Sequence, residues 1–339
     1  MPVNTVGEMP DASAPFVNDE ADIILRSSDG VDFHTFKLLL SLASPFFRST
    51  FSLPQPGQAE GPEGTKAGGS GAEMKNGVSV VQLTEHSEVV KNMLIFCYPM
   101  CHPTMETLQE VQDLWEAASK YEIEELMKWL GSQFVEKRFL EDEPVRAYAI
   151  ACRYRLDPLA KAAAIWTLRY PRADLDIHAD HHELEAITAG AFVRLMKFHR
   201  RCSEVVSALV NHTQSPGLSW ISTFQYNFFT CTSCHHHRSK VRFGLSQSVA
   251  KWFLQYLVHV GEVLQIRPCK SVIMEDEVTG KALNIARESC SRCGPAAQMD
   301  LKLFSEVFGE EIDRVISEVS KGFWFLVDQS STGNPQVSL

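Results

Sequence analysis

Apolar and polar positions along the chain change rhythm several times, and each change predicts an element. Asp22-Ile23-Ile24-Leu25-Arg26 and Val31-Asp32-Phe33-His34-Thr35-Phe36 are short strand-like runs separated by Ser27-Ser28-Asp29-Gly30. Asp-Gly between two such runs is a hairpin signal, because glycine supplies the positive φ of a tight turn. A helix is predicted from Lys37 to Leu42. Pro45 then opens a second short helix with Ser44 as its cap, turning Phe46, Phe47 and Phe51 inward. Val78–Leu83 reads as a third strand. Thr84 is the expected cap before an amphipathic helix over Glu88–Tyr98, which ends ahead of Pro99. Residues 104–119 and 122–138 repeat apolar positions at helical spacing, Leu108, Val111, Leu114 and Trp115 in the first, Ile123, Leu126, Met127 and Leu130 in the second. Strands followed by several helices, with no repeat period, predict an α+β domain: a small sheet covered by helices.

The second half is patterned as helices. Residues 143–170 form two helix-length segments broken at Asp157-Pro158, with Asp157 as the expected cap. Residues 245–266 and 299–320 are further helices, the last carrying Leu301, Phe304, Val307, Phe308, Ile312, Val315, Ile316 and Val319 on its apolar face. Val249–Ile266 is the most apolar stretch, but Lys251, His259 and Glu262 interrupt it, so it reads as a packed amphipathic helix and not a membrane span.

Two stretches break the pattern. Ten of residues 52–77 are Gly or Pro and none is aromatic, so this stretch is expected to be a disordered insertion. No phosphate-binding glycine motif occurs in it. Residues 1–19 lack a cationic start and an apolar run, and are expected to form a flexible acidic arm without a secretory signal. The chain has 339 residues, 45% of them hydrophobic, with 20 Phe, 7 Tyr and 6 Trp, which is enough for two cores. A formal net charge of −10 repels phosphate backbones, so nucleic acid is a disfavoured partner.

The nine cysteines sharpen the chemistry. An odd number without a secretory signal argues for the reduced cytosol or nucleus, and for metal binding or buried thiols over a disulfide framework. Cys231-Thr232-Ser233-Cys234 and Cys290-Ser291-Arg292-Cys293 share a three-residue spacing that random placement would produce only roughly 0.2 times in the chain. Two thiolates so spaced in a tight turn reach one ion at about 2.3 Å, and two such knuckles make a tetrathiolate site suited to structural Zn²⁺. Gly294 relieves crowding beside that metal. The gap of 55 residues from Cys234 to Cys290 exceeds the ~15–20 of a zinc ribbon, so a helix must be looped between the knuckles. A mixed site with one of His235, His236 or His237, and reduced thiols without metal, are the alternatives. His178, His181, His182 and Glu183 lack the HExxH pattern and read as a solvated helix start. Cys97 and Cys101 flank Pro99 and read as buried or bystander thiols. The basic runs 192–201 and 238–242 read as solvated faces, with a DNA surface as the sharper alternative.

The N-terminal residues resemble the BTB/POZ domain family. Ala21-Asp22-Ile23-Ile24-Leu25 resembles its opening strand, and Phe33-x-x-x-Lys37-x-x-Leu40 with Ser44-Pro45-Phe46-Phe47-Arg48 and Phe51 resembles its next block. Val81-x-Leu83, Leu94-x-Phe96-x-Tyr98, and Leu114-x-x-Ala117-Ala118-x-Lys120-Tyr121-x-Ile123-Glu124-Glu125-Leu126 continue the match in order. The resemblance covers roughly residues 20–140, and the long insertion and closing half resemble members of the expanded fungal branch. It implies a charged pair of Asp22 and Lys37 lining a pocket at a dimer interface. Phe36 stands where the family usually has His, and a fold-stabilising pair is the alternative role. Residues 141–175 resemble the helical extension that often follows such domains and helps clasp a cullin, with ordinary core packing as the alternative.

The expected organisation is therefore an arm (1–19), a BTB/POZ-like domain (20–140), a helical extension (141–175), a mostly α-helical domain with the two CxxC pairs (176–325) and a tail (326–339). The expected function is a protein–protein interaction adaptor or scaffold, not an enzyme and not membrane-bound. It is expected to act as a homodimer or on a cullin-based ubiquitin ligase; a zinc-containing transcriptional regulator is the alternative.

Overall fold

The computed structural model describes residues 9–53, 73–100, 102–175, 182–210, 220–221, 226–234, 238–239 and 249–331. These fall into two compact units, divided between Phe139 and Leu140. The division places residues 141–175 inside the second unit and not as a separate extension.

In the first unit, β1 (Ile23–Arg26) pairs antiparallel with β2 (Asp32–Thr35) and parallel with β4 (Val78–Gln82), which pairs antiparallel with β3 (Met74–Lys75). The sheet order is β2-β1-β4-β3. The hairpin turn closes as its sequence requires: Gly30 adopts φ +85° and donates its N–H to Ser27 O at 3.0 Å, a conformation costly for any residue with a Cβ. β1 is central and all four of its residues are buried. Its one charged member, Arg26, is held by Asp32 through Nε–Oδ1 at 2.6 Å and Nη2–Oδ2 at 3.0 Å, and also reaches Glu73. Lys75 Nζ adds a contact to Asp32 Oδ2 at 2.7 Å. A buried ion pair of this kind survives because each group is hydrogen-bonded as well as neutralised.

Helices α1 (Lys37–Ala43), α2 (Pro45–Ser52), α3 (Ser87–Cys97), α4 (Leu108–Lys120) and α5 (Glu124–Phe134) supply the rest of this core. Ser44 caps α2 as expected, accepting from Phe47 N–H at 3.0 Å, and its hydroxyl donates to Tyr121 O at 2.5 Å. Phe47 is buried and stacks on Tyr121 with ring centroids 5.1 Å apart. Phe46, expected inward, is 36% exposed, with its ring edge-on to Phe47 and Tyr121.

Three expectations are corrected here. Residues 9–19 are not a free arm. Asp11 and Val17 make parallel bridges to Asp32 and His34 of β2, and Ala12 N–H donates to Asp32 O at 2.8 Å. Phe16 is 2% exposed and packs on Phe33 and Tyr98. The open edge of β2 offers unpaired backbone groups, and residues 9–19 satisfy them. The stretch 52–77 is ordered at both ends: Ser52 closes α2, and Met74–Lys75 form β3 through a turn at Asn76 and Gly77. Residues 54–72 lie outside the described residues. Thr84 does not cap α3. Asp29, from the hairpin turn, accepts Ser87 N–H at 2.8 Å and the Ser87 hydroxyl at 2.7 Å.

A short helix α6 (Lys137–Asp142) spans the division. The second unit begins with the contacting pair α7 (Pro144–Arg153) and α8 (Asp157–Trp166), where Asp157 is the first helical residue and Leu156 the cap. Tyr148 donates its hydroxyl to Ala191 O at 2.8 Å, tying α7 to α9 (Ala189–Ala208). A short turn α10 (Asn227–Thr230), a two-residue ladder of β5 (Arg238–Ser239) with β6 (Val249–Ala250), α11 (Lys251–Ile266), α12 (Asp276–Ser289) and α13 (Cys293–Ser331) follow. Their core is aromatic: Phe228 stacks on Phe253 at 3.7 Å, and Phe304 meets Phe253 edge-on at 5.0 Å. α13 begins six residues before its predicted start and runs to Ser331, past the expected beginning of the tail. Among the described residues, no helix is long and apolar enough to cross a membrane.

Candidate metal centre

Cys231 is the residue on which α10 ends, its N–H bonded to Asn227 O at 2.8 Å. The chain then turns through Thr232 and Ser233 to Cys234. On the other side, Cys290 ends α12, with its N–H on Ala286 O at 3.2 Å, and Cys293 opens α13. Each knuckle thus lies at a helix end, where backbone groups are free to turn toward a ligand. The second is drawn tight by Gly294 N–H to Cys290 O at 2.9 Å. Gly294 is needed for another reason than the expected one. A Cβ there would sit 2.9 Å from Arg287 Cα, so glycine lets α13 start against the end of α12.

The tertiary structure closes the sequence gap between the two pairs. All four sulfurs lie within 4.8 Å of one another and all four residues are buried. Cys231 Sγ is 3.7 Å from Cys290 Sγ, and Cys234 Sγ is 3.4 Å from Cys293 Sγ. A tetrahedron with metal–sulfur bonds of about 2.3 Å has edges of about 3.8 Å, so the sulfur cage matches a four-thiolate ion in size. The helix looped between the knuckles is α11, with α12 behind it.

Two features fix the cage. Asp300 of α13 accepts Asn227 N–H at 2.8 Å and Asn227 Nδ2 at 3.3 Å. That clamp holds α10, and with it the first knuckle, against the helix that carries Cys293. Trp252 Nε1 is buried near the Cys293 thiol and has no hydrogen-bond partner among the described residues. An indole N–H so placed favours an electron-rich sulfur. Neither feature has a sequence signature, since Asn227, Trp252 and Asp300 are far apart in the chain and have no motif spacing.

Burial pushes the Cys234 thiol up to about 12 and raises Cys293 further. Cys290 is also desolvated, yet the N–H groups of Cys293 and Arg292 and the neighbouring thiols bring it down to about 7. Cys293 N–H approaches Cys290 Sγ at 3.3 Å. Four buried sulfurs facing one another without a cation resist joint ionisation, and a divalent ion supplies the missing charge.

The remaining expected site residues are placed as follows. His235, His236 and His237 lie outside the described residues, as do His178 and His181. His182 begins a short 3₁₀ turn and is exposed, while the neighbouring Glu183 is buried against Arg146 at 2.8 Å. Cys97 is half-buried, with its thiol pushed up to about 12 by desolvation. Cys101 lies outside the described residues. None of the described cysteines is in a disulfide. In the basic stretch on α9, Arg200 and Arg201 both approach Glu204, at 3.6 and 3.4 Å, which offsets part of its charge; most of 238–242 lies outside the described residues. Asp22 and Lys37 meet, but not as a charged pair. Asp22 Oδ1 accepts the backbone N–H of Lys37 at 2.7 Å, capping α1, and the Lys37 ammonium lies 6.0 Å from the Phe51 ring centroid.

On α1, Leu38 and Leu42 are each 68% exposed. They lie one turn apart, so they form one apolar strip. Phe46 and Leu53 on and after α2 are exposed as well.

Compared with known proteins, residues 17–138 match the family model of the BTB/POZ domain. No curated protein matches the chain.

Proposed function

With residues 17–138 forming a BTB/POZ domain, a protein-interaction module, we propose that this protein is an adaptor or scaffold whose work is contact and not turnover. The observation that carries the reading is the exposed Leu38/Leu42 strip on α1. Two large aliphatic side chains held in water on a rigid helix gain roughly 1.5–3 kcal/mol each when a partner covers them. The first partner we assign to it is a second copy of the chain. A cullin scaffold, with the chain as substrate adaptor of a ubiquitin ligase, is the finer form of the same proposal.

In the second unit, we assign Cys231, Cys234, Cys290 and Cys293 to one structural Zn²⁺. Four protein ligands leave no open position for water, so the ion holds two helix ends together and does no hydrolysis. Thiolate ligation by cysteines outside disulfides suits the cytosol or nucleus, which we propose as the protein's location.

Light scattering on the purified full chain tests the first part. A dimer is expected, and Leu38→Asp/Leu42→Asp should weaken it by more than about tenfold, or 1.4 kcal/mol, with helix content unchanged. A wild-type chain that stays monomeric at high concentration and retains no cullin N-terminal domain would remove the reading. Metal analysis tests the second: close to one zinc per chain is expected, and none after Cys→Ser at all four positions.

A further inference from the structure

Two sulfur–sulfur approaches run across the knuckles: Cys234 to Cys293 at 3.4 Å and Cys231 to Cys290 at 3.7 Å. One of the four also borders open space. A cleft of about 210 Å³ is lined by Cys234 together with Lys251, Trp252, Gln255, Ile285 and Ser289. Lys251 and Gln255 are exposed at its rim. The cleft brings open space up to Cys234, and Lys251 puts a positive charge at its edge, beside the place where hydroxide would leave.

We propose that this centre is a peroxide-sensitive switch in which Cys234 is the sulfur attacked and Cys293 the sulfur that resolves it. The proposal rests on the metal reading above, since coordination is what keeps both sulfurs as thiolates. In the first step the Cys234 thiolate attacks one oxygen of hydrogen peroxide. An S–O bond forms, the O–O bond breaks, and hydroxide leaves, giving a sulfenic acid at Cys234. In the second step the Cys293 thiolate attacks that sulfur. The S–S bond forms and the S–O bond breaks, releasing a second hydroxide. Two thiolates have then lost one electron each, and one peroxide has become two hydroxides. Closing from 3.4 Å to a disulfide length of about 2.05 Å needs a movement of about 1.4 Å. The ion, stripped of two of its four ligands, is released. A second peroxide joins Cys231 to Cys290.

The regiochemistry is the unusual part. The ordinary expectation for a CxxC sequence is a bond within each pair, between Cys231 and Cys234 or between Cys290 and Cys293. Here Cys234 and Cys293 approach to 3.4 Å between the pairs and Cys231 and Cys290 to 3.7 Å, so oxidation along these contacts ties α10 to the α12–α13 corner and leaves both knuckles crossed.

The test uses the full chain as purified, with its zinc measured first. One equivalent of hydrogen peroxide is added, zinc release is followed with a chromophoric chelator, and cross-linked peptides are mapped without reduction. Expected are one zinc released per cross-link and a dominant Cys234–Cys293 peptide. A dimedone-type trap on Cys293→Ser should label Cys234. Cross-links mainly within the CxxC pairs, or cross-linking with zinc retained, would overturn the proposal. A wild-type time course that shows Cys290 modified ahead of Cys234 would do the same, whether or not the variant folds. A chain that carries no metal at the outset refutes the metal reading instead; the same peptide map then still reports whether the sulfurs pair across the knuckles.

Discussion

Asp29 and Gly294 show how much rests on single positions that carry no functional motif. Asp29 sits in the hairpin turn, where desolvation works against its ionisation. The hydroxyls of Ser27 and Ser87 and the Ser87 N–H outweigh that and bring its carboxyl down to about 2. A carboxyl whose folded pKa lies below its unfolded value stabilises the fold above the unfolded value, and this contribution fades as pH falls through the folded one. Asp29→Ala should therefore cost about 1 kcal/mol at neutral pH, as a lost helix cap does. The difference from wild type should shrink between about pH 4 and pH 2; urea unfolding at stepped pH measures it, and a pH-independent difference would show that the cap is not ionic. Gly294→Ala places a methyl 2.9 Å from the Arg287 backbone, which has no flexible end to yield. A loss of about 1–3 kcal/mol is expected, with zinc content falling alongside, since the corner that carries Cys290 and Cys293 must open. Both residues were recognised in the sequence as turn residues. Their actual partners, Ser87 and Arg287, were hidden, because a cap or a close approach from another element leaves no local pattern.

Among the elements, the edge of β2 is where sequence reading and structure diverge most. A short run with Pro10 and Pro15 and no apolar period reads as a free arm, and its one aromatic residue, Phe16, is too little to signal an element. In the structure that residue fills a slot between Phe33 and Tyr98, and the flanking backbone pairs with Asp32 and His34. Phe16→Ala should destabilise the first unit by about 3–5 kcal/mol, the range for a buried Phe truncation. Thermal unfolding followed by near-ultraviolet circular dichroism tests this, and a change under about 0.5 kcal/mol, typical of an exposed surface site, would return residues 9–19 to the status of an arm. The helices were easier. α4, α5 and α13 repeat apolar residues at 3.6-residue spacing over ten or more positions, so their faces were legible without knowing what covers them. α10 was not: at four residues it is shorter than any period that could reveal it, and it is held by Asp300 from another helix.

The whole molecule divides into two units whose cores are built differently, a sheet with helices in the first and packed aromatic helices in the second. Removal of the proposed ion should therefore act on one and spare the other. A strong chelator is expected to lower the thermal transition of the second unit by several degrees or more, while the transition of residues 9–139 stays in place. Acid should mimic the chelator, because thiolate ligands take up protons as the ion leaves. Differential scanning calorimetry with and without chelator decides this; two transitions that shift together would mean that the units are thermodynamically one. The BTB/POZ domain was readable from short motifs in the right order, since each motif is a local packing requirement. The spacing within each cysteine pair was equally plain. By itself the sequence determined the helix faces, the Ser27–Gly30 turn, the Ser44 cap and the two knuckles, all set by interactions within a few residues of one another. Only the tertiary structure decided that four sulfurs from two distant segments share one cage, that Asp22 caps a helix instead of pairing with the Lys37 ammonium, and that residues 9–19 close a sheet edge. Those outcomes depend on which surfaces meet once the elements pack, and no periodicity along a chain records that.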